Sequence, residues 1–185
     1  MTAGHLWTAI AIVGALTQGH GEHAQHGMPA EPVVRTEDGW IRYEHKTGGF
    51  SLEHPPDWRV GRTKGVLSIQ ISHPSKPAHI FAAAFQMPEG SLQEFAVQRF
   101  AVQSELFNVV GPPRPVEGPG WTGLMQDADT SEGGQHARRR ILCARHDAGY
   151  VSLTLYVDPK ELAEHEPEYA RLFSSLRFSE LPKQP

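Results

Sequence analysis

Cysteine is almost absent from this chain of 185 residues, which contains only Cys143. One cysteine excludes an intrachain disulfide framework and any zinc or iron–sulfur site that needs several thiolates. It also leaves no cysteine directly after the apolar run at residues 6–16, so we expect no covalent lipid anchor. Cys143 lies between Leu142 and Ala144, and this apolar setting predicts a buried, inert thiol rather than a nucleophile.

Neither acidic nor basic residues are in large excess. Asp and Glu total 21, Lys and Arg total 17, and the formal net charge is −4 with histidine neutral. A mildly acidic chain gives no electrostatic reason to expect nucleic-acid binding. Hydrophobic residues, at 39%, are too frequent for a disordered acidic chain. We therefore expect one globular domain, which the length also favours.

Common catalytic motifs are missing from the sequence. It contains no Gly-x-Ser-x-Gly elbow, no glycine-rich phosphate loop followed by lysine and no dinucleotide fingerprint. Glutamates surround His165 without forming a His-Glu-x-x-His motif, and we expect them on a solvated helical face. These glutamates are Glu161, Glu164, Glu166 and Glu168. The missing motifs favour a protein that is not an enzyme, with an unrecognised hydrolase as a weaker alternative.

Long hydrophobic runs are missing as well. The apolar run at residues 6–16 is too short to span a bilayer, which needs about 20 residues. It is typical of the apolar core of a secretory signal peptide, and Thr17 and Gly19 are spaced for a cleavage that leaves His20 first. No Lys or Arg precedes the run, and a buried N-terminal helix is the alternative. We predict a signal peptide at residues 1–19 and a periplasmic or secreted protein.

Residues 20–38 are polar and rich in His, Gly and Pro, which predicts a flexible leader. His20, His23 and His26 stand three apart, and Met28 follows closely. Imidazole binds copper, zinc and nickel, and a thioether binds cuprous copper. These four side chains are candidate ligands for copper or zinc, and the alternative is a solvated leader whose histidines are incidental. Outside the leader, a second site would require other histidines to converge: His45, His54, His73 and His79.

The residues after the leader alternate between polar and apolar. Residues 40–46 and 50–53 flank a Thr-Gly-Gly turn, which predicts a β-hairpin. Two prolines then end the second strand, and we expect Trp58 to fold back over an edge of the core. Residues 66–72 and 79–87 predict two further strands.

The remaining chain predicts a helix, three strands and a second helix. Ser91 with Glu94 forms a capping-box pattern, and the helix should end near residue 107. Residues 111–120 hold four prolines and three glycines, which predicts a loop. A three-strand meander should follow, and Asp-Pro at residues 158–159 should begin a helix that a later proline, Pro167, interrupts.

The order of these elements favours an α+β fold. Short turns between neighbouring strands indicate an antiparallel sheet, and two amphipathic helices need an apolar face to cover. We predict one twisted, mainly antiparallel β-sheet flanked by helices over residues 39–180, with a polar tail at 181–185.

Three consecutive arginines in the sixth predicted strand form the strongest basic cluster. Strand alternation places Arg138 and Arg140 on one face and Arg139 on the other. Such a cluster can dock an acidic protein or an anionic membrane surface. The alternative is cross-strand pairing with Asp127 or Asp129. The candidate partner-binding residues are Trp58, Arg138 and Arg140.

Residues 50–60 read FSLEHPPDWRV, a strand that enters a Pro-x-x-Trp segment. With a helix beginning near Ser91, a closing meander and a final helix, this segment resembles the PsbP-like fold. That superfamily also includes Mog-type Ran-binding proteins and many small bacterial secreted proteins and lipoproteins. The resemblance covers residues 39–178 and implies an α/β/α sandwich around an antiparallel sheet.

The resemblance also implies functions that are not enzymatic: binding another protein, assisting a membrane complex, or in some members binding a metal. We therefore predict an exported accessory domain that presents a surface to an unidentified protein partner, near a membrane. The alternative is a periplasmic copper- or zinc-binding protein that uses the histidine-rich leader.

Overall fold

The computed structural model describes residues 33–62, 67–85, 90–104, 108–132, 135–146 and 149–179. In chain order its strands are β1 (Val33–Arg35), β2 (Ile41–His45), β3 (Phe50–His54), β4 (Arg59–Arg62), β5 (Ser68–Ser72), β6 (His79–Phe85), β7 (Asn108–Gly118), β8 (Trp121–Glu132), β9 (Gln135–His146), β10 (Gly149–Val157) and β11 (Arg177–Phe178). Its helices are α1 (Leu92–Ser104), α2 (Pro159–Glu164) and α3 (Glu166–Ser174).

The strands form two antiparallel sheets. The smaller sheet has the order β1-β2-β3-β11, and the larger has the order β4-β5-β6-β10-β9-β8-β7. The predicted α+β fold is confirmed. The sequence predicted a single sheet, but the hairpin β2–β3 belongs to the separate smaller sheet. The prolines after His54 end β3 before β4 begins.

The large sheet lies in the middle of the domain. Trp58, Leu153 and Leu172 belong to the main core, which joins this sheet to the small sheet and to α2 and α3. A second apolar cluster lies on its opposite face, where Phe95 and Phe100 of α1 pack with neighbouring strands. The domain therefore has three layers, with α1 on one face of the large sheet and the small sheet on the other.

β10 shows how the sequence produces these layers. Its even-numbered and odd-numbered positions point to opposite faces because the side-chain period of a strand is two. Val151, Leu153 and Leu155 point into the main core, and Tyr150 points toward α1. β10 pairs with β6 and β9, and the predicted meander β8–β9–β10 is confirmed.

The predicted starts of both helices also match. Ser91 N–H donates to Glu94 Oε2 at 2.7 Å, and Glu94 N–H donates to Ser91 Oγ at 3.1 Å, which completes the capping box before α1. Asp158 caps α2 by accepting the Lys160 N–H at 2.8 Å. The helical pattern is interrupted at His165, two residues before Pro167. No helix in the described part of the chain is both long and apolar enough to cross a membrane.

Two expectations need correction. Residues 111–120 do not form a loop, since β7 runs to Gly118 and pairs with β8 with an irregularity between Val110 and Arg114. β7 is an edge strand, a position where a sheet tolerates proline because the strand is paired on one side only. The segment predicted as a leader is structured from Val33, because β1 pairs with β2. Residues 1–32 and 180–185 lie outside the described part.

Candidate functional site

One row of side chains crosses the large sheet on the face that carries α1. The registers of β6 and β9 against β10 pair Tyr156 with His79 on one side and with Arg139 on the other. Paired residues of antiparallel strands point to the same face, so these three side chains lie side by side. The row continues to Ser72 on β5 and to Arg59 on the edge strand β4.

Tyr156 has an aromatic neighbour and a cationic neighbour. The His79 imidazole is stacked on its ring with the centroids 4.8 Å apart and the planes 19° apart. The guanidinium carbon of Arg139 lies 4.7 Å from the same ring centroid. Cation–π contacts of this kind contribute about 0.5–1 kcal/mol when exposed. They therefore orient the Arg139 guanidinium as well as stabilising it.

α1 brings a second arginine to the same face of the large sheet, toward the other end of β6. The guanidinium carbon of Arg99 lies 5.1 Å from the ring centroid of Phe85, at the end of β6. Phe85 also contacts Phe95 of α1 edge-on, with centroids 5.2 Å apart. We call this group of side chains the arginine–aromatic surface: His79, Phe85, Arg99, Arg139 and Tyr156.

The arginine–aromatic surface remains accessible. All five of its side chains are half-buried, and the neighbouring Gln70 and Arg59 are exposed. α1 packs against β7, β8 and β9, and it meets β6 where Phe95 contacts Phe85. α1 therefore borders this surface and contributes Arg99 to it.

Burial determines the protonation of this row. It lowers the pKa of His79, so the imidazole is neutral at neutral pH. It raises the pKa of Tyr156, against the opposing effect of Arg139 and Arg99. Burial also lowers the pKa of Arg139, and the nearby charge of Arg99 acts in the same direction. Arg139 stays charged at neutral pH because the pKa of a guanidinium is far above it.

Acidic residues are missing from the strands around this surface. β4, β5, β6, β9 and β10 contain neither Asp nor Glu. Within the described ranges, no carboxylate lies at ion-pair distance from Arg99, which packs over the ring of Phe85. This face of the sheet is therefore positively charged locally, although the whole chain is mildly acidic.

The opposite face of β9 is different, because its arginines are neutralised. Arg140 donates from Nε to Asp127 Oδ1 at 2.9 Å and from Nη1 to Glu166 Oε1 at 2.6 Å. Arg138 pairs with Asp129 through Nε and Nη2. The register of β8 and β9 places each aspartate opposite its arginine. The cross-strand pairing that the sequence offered as an alternative is confirmed.

The residues that we predicted as partner contacts are placed differently from the expectation. Trp58 is only 4% exposed and contacts Tyr169 edge-on in the main core, with centroids 6.2 Å apart. Arg140 is 7% exposed and is held by two carboxylates. Arg138 is half-buried in its own ion pair. Packing between the sheets thus removes Trp58 from the surface, and ion pairing already engages the two arginines.

Sequence reasoning did not connect the residues of the arginine–aromatic surface. Strand alternation places Arg139 on the face of β9 opposite to that of Arg138 and Arg140. This alternation is the one local signal for the site that the sequence contains. In the sequence, Arg99 belongs to the amphipathic stripe of a helix, and Tyr156 occupies one alternating position of a strand. Their proximity depends on strand register and on the docking of α1.

Cys143 and the candidate metal ligands are the remaining side chains that the sequence singled out. Cys143 is fully buried, and burial raises its pKa to about 12, as an unreactive thiol requires. The candidate metal ligands of the leader lie outside the described residues: His20, His23, His26 and Met28. Within the described ranges, no three His, Cys, Asp or Glu side chains are grouped closely enough to hold a metal ion.

No protein-family model and no curated protein sequence matches this chain. Solved structures do match. A cyanobacterial PsbP (CyanoP) from Synechocystis sp. PCC 6803 gives a TM-score of 0.59 at 10% identity, over 86% of this chain and 98% of the other. A Bacteroides thetaiotaomicron protein gives a TM-score of 0.53 at 16% identity, over 74% of this chain and 48% of the other.

A third similar structure is LpqN, involved in cell envelope biogenesis of Mycobacterium tuberculosis. It gives a TM-score of 0.50 at 14% identity, over 81% of this chain and 91% of the other. Identities this low show the fold alone. The fold is PsbP-like, as the resemblance of residues 39–178 implied.

Proposed function

We propose that this protein is an exported, non-enzymatic accessory domain that holds a protein partner against the arginine–aromatic surface. The observation that supports this function is the gathering of Arg99, Arg139 and Tyr156, half-buried and held by ring contacts, beside α1. Arginine and tyrosine are among the side chains that most often dominate binding energy at protein interfaces. Side chains that are already oriented lose less entropy when a partner binds.

Two further observations favour an exported binding protein. The apolar run at residues 6–16 has the length of a signal-peptide core. Structures with the same fold include a PsbP and a protein involved in cell envelope biogenesis. A fold hosts many functions, so the surface residues and not these neighbours give the proposal its content.

Site-specific photo-crosslinking in the cell of origin tests this function. Gln70 lies on the exposed part of the same face, where its Nε2 donates to Ser72 Oγ at 3.1 Å, and Ser72 pairs with His79. A crosslinking amino acid placed at position 70 would therefore face a partner bound to this surface. We expect it to capture a defined partner in the periplasmic or secreted fraction. The matched control is the exposed Arg35 on β1 of the small sheet, where we expect no crosslink.

The Arg99→Glu, Arg139→Glu double variant should lose the Gln70 crosslink while retaining its thermal transition. Equal crosslinking from Gln70 and Arg35, or undiminished crosslinking in the double variant, would overturn the assignment of this surface. A protein found only in the cytoplasmic fraction would overturn export.

The leader favours a second candidate function, which is copper or zinc handling. Its histidines are spaced by three and are followed by a methionine, His20, His23, His26 and Met28. These are ligand types that copper accepts in both oxidation states. Deletion of the leader separates this function from partner binding, since the two use different parts of the chain.

A further inference from the structure

Given the proposed function, on which this inference depends, we infer that the partner presents an acidic segment whose carboxylates bind Arg99 and Arg139. The ligand class is an Asp- or Glu-rich peptide segment. It would lie along the outer face of β6 and β10, beside α1.

The distribution of charge points to an acidic ligand. On this face β9 carries Arg139 and Arg145 and no acidic residue, and the strands on both sides of Tyr156 contain no Asp or Glu. On the other face, Asp127 and Glu166 neutralise Arg140. Arg99, on the side of α1, has no such carboxylate within the described ranges.

The geometry of the arginines also suits carboxylates. A guanidinium that lies over a ring keeps the N–H groups at its edge available for hydrogen bonds, often two to one carboxylate. Arg99 Nε is buried and has no acceptor among the described residues. The fold therefore does not use all the hydrogen-bonding capacity of this side chain. Arg99 and Arg139 are like charges that repel each other. An incoming carboxylate would reduce this repulsion.

A protein segment fits this surface better than a membrane does. Membrane surfaces bind clusters of about 4–8 exposed Lys or Arg side chains, each contributing about 1 kcal/mol. Here the two central arginines are half-buried, and the surrounding strands contain no lysine. A narrow, extended segment can reach recessed guanidinium groups beside α1, whereas a flat bilayer surface cannot.

The test uses the full chain and a defined probe, fluorescein-labelled hexaglutamate, with binding measured by fluorescence anisotropy. We expect binding that weakens as NaCl rises from about 0.05 M to about 0.3 M, because salt screens exposed charge pairs. Labelled hexaglutamine should not bind. Arg99→Gln and Arg139→Gln should each weaken binding about tenfold, the loss expected for one charged hydrogen bond.

Arg35→Gln is the matched control, since it removes an arginine from the small sheet, and binding should not change. Gln70→Glu is an independent variant that adds a negative charge to the exposed edge of the same face without touching either arginine. It should also weaken binding of hexaglutamate. This variant keeps the test decisive if an arginine variant fails to fold.

Other results would overturn the acidic segment. Equal competition by inorganic phosphate would identify a site for a free anion. Binding to phosphatidylglycerol vesicles without binding to hexaglutamate would identify a membrane surface. Persistent crosslinking from Gln70 with no hexaglutamate binding would leave the proposed function standing and reject only the acidic chemistry. Binding of hexaglutamate without a crosslink in the cell would reject the proposed function instead.

Discussion

The imidazole of His79 is stacked on the ring of Tyr156, with the centroids 4.8 Å apart. Burial lowers the pKa of His79 and therefore keeps this imidazole neutral. A second histidine, His54, is only 2% exposed, and burial lowers its pKa as well. Its Nδ1–H donates to the carbonyl oxygen of Pro55 at 2.8 Å. Two histidines thus resist protonation in the folded state.

We expect the free energy of unfolding to fall as the pH drops below about 6.5, the pKa of an unperturbed histidine. Below that value the unfolded chain binds protons that the folded His54 and His79 reject, so protonation favours unfolding. Urea unfolding at several pH values measures this loss. His79→Phe keeps a stacked ring without a titrating group, and its loss of stability should be smaller. An identical pH profile in this variant would contradict the role of His79.

The ion pairs on β9 should differ in their contribution to stability. The side chains of Arg140 and Asp127 are 9% and 17% exposed, whereas those of Arg138 and Asp129 are 24% and 40% exposed. Arg140→Ala leaves a largely buried carboxylate without its cation, and we expect a loss of about 3–5 kcal/mol. Arg138→Ala should cost about 0–1 kcal/mol. Urea unfolding measures both losses in the free energy of unfolding. Equal losses would show that the difference in burial does not make the two ion pairs differ in their contribution to stability.

Trp58 should contribute to stability and not to partner binding. It belongs to the main core, on the side of the large sheet opposite Arg99 and Arg139. Trp58→Ala should cost about 3–5 kcal/mol, as large-to-small core substitutions of aromatic residues do. Trp58→Phe should retain the fold and bind hexaglutamate with unchanged affinity. A selective loss of binding in a folded Trp58→Phe variant would restore Trp58 as a contact residue.

Metal binding by the leader is separable from the fold. We expect deletion of residues 20–28 to abolish copper or zinc binding, because it removes all four candidate ligands. The thermal transition of the remaining domain should not change. Native mass spectrometry of the intact and deleted proteins measures both the bound metal and the N-terminus. Metal retained at full stoichiometry after deletion would exclude the leader as the site.

Local patterns in the sequence were sufficient for most elements of the fold. The alternation in β10, the capping box at Ser91 and the proline that interrupts the last helix are properties of a few neighbouring residues. The same local reasoning failed at β7, because its prolines read as a loop. Whether a strand tolerates proline depends on its position at the edge of the sheet, which no local pattern contains.

Three features follow from the amino-acid sequence alone: the α+β class, the order of most strands and helices, and the strand faces that Arg139 and Tyr156 occupy. The pairing of Arg138 and Arg140 with aspartates, and the arrival of Arg99 on the face of Tyr156, required the folded chain. Alternation follows from the backbone of one strand. Neighbours across strands, and the charges that face them, follow from register and helix docking between distant segments.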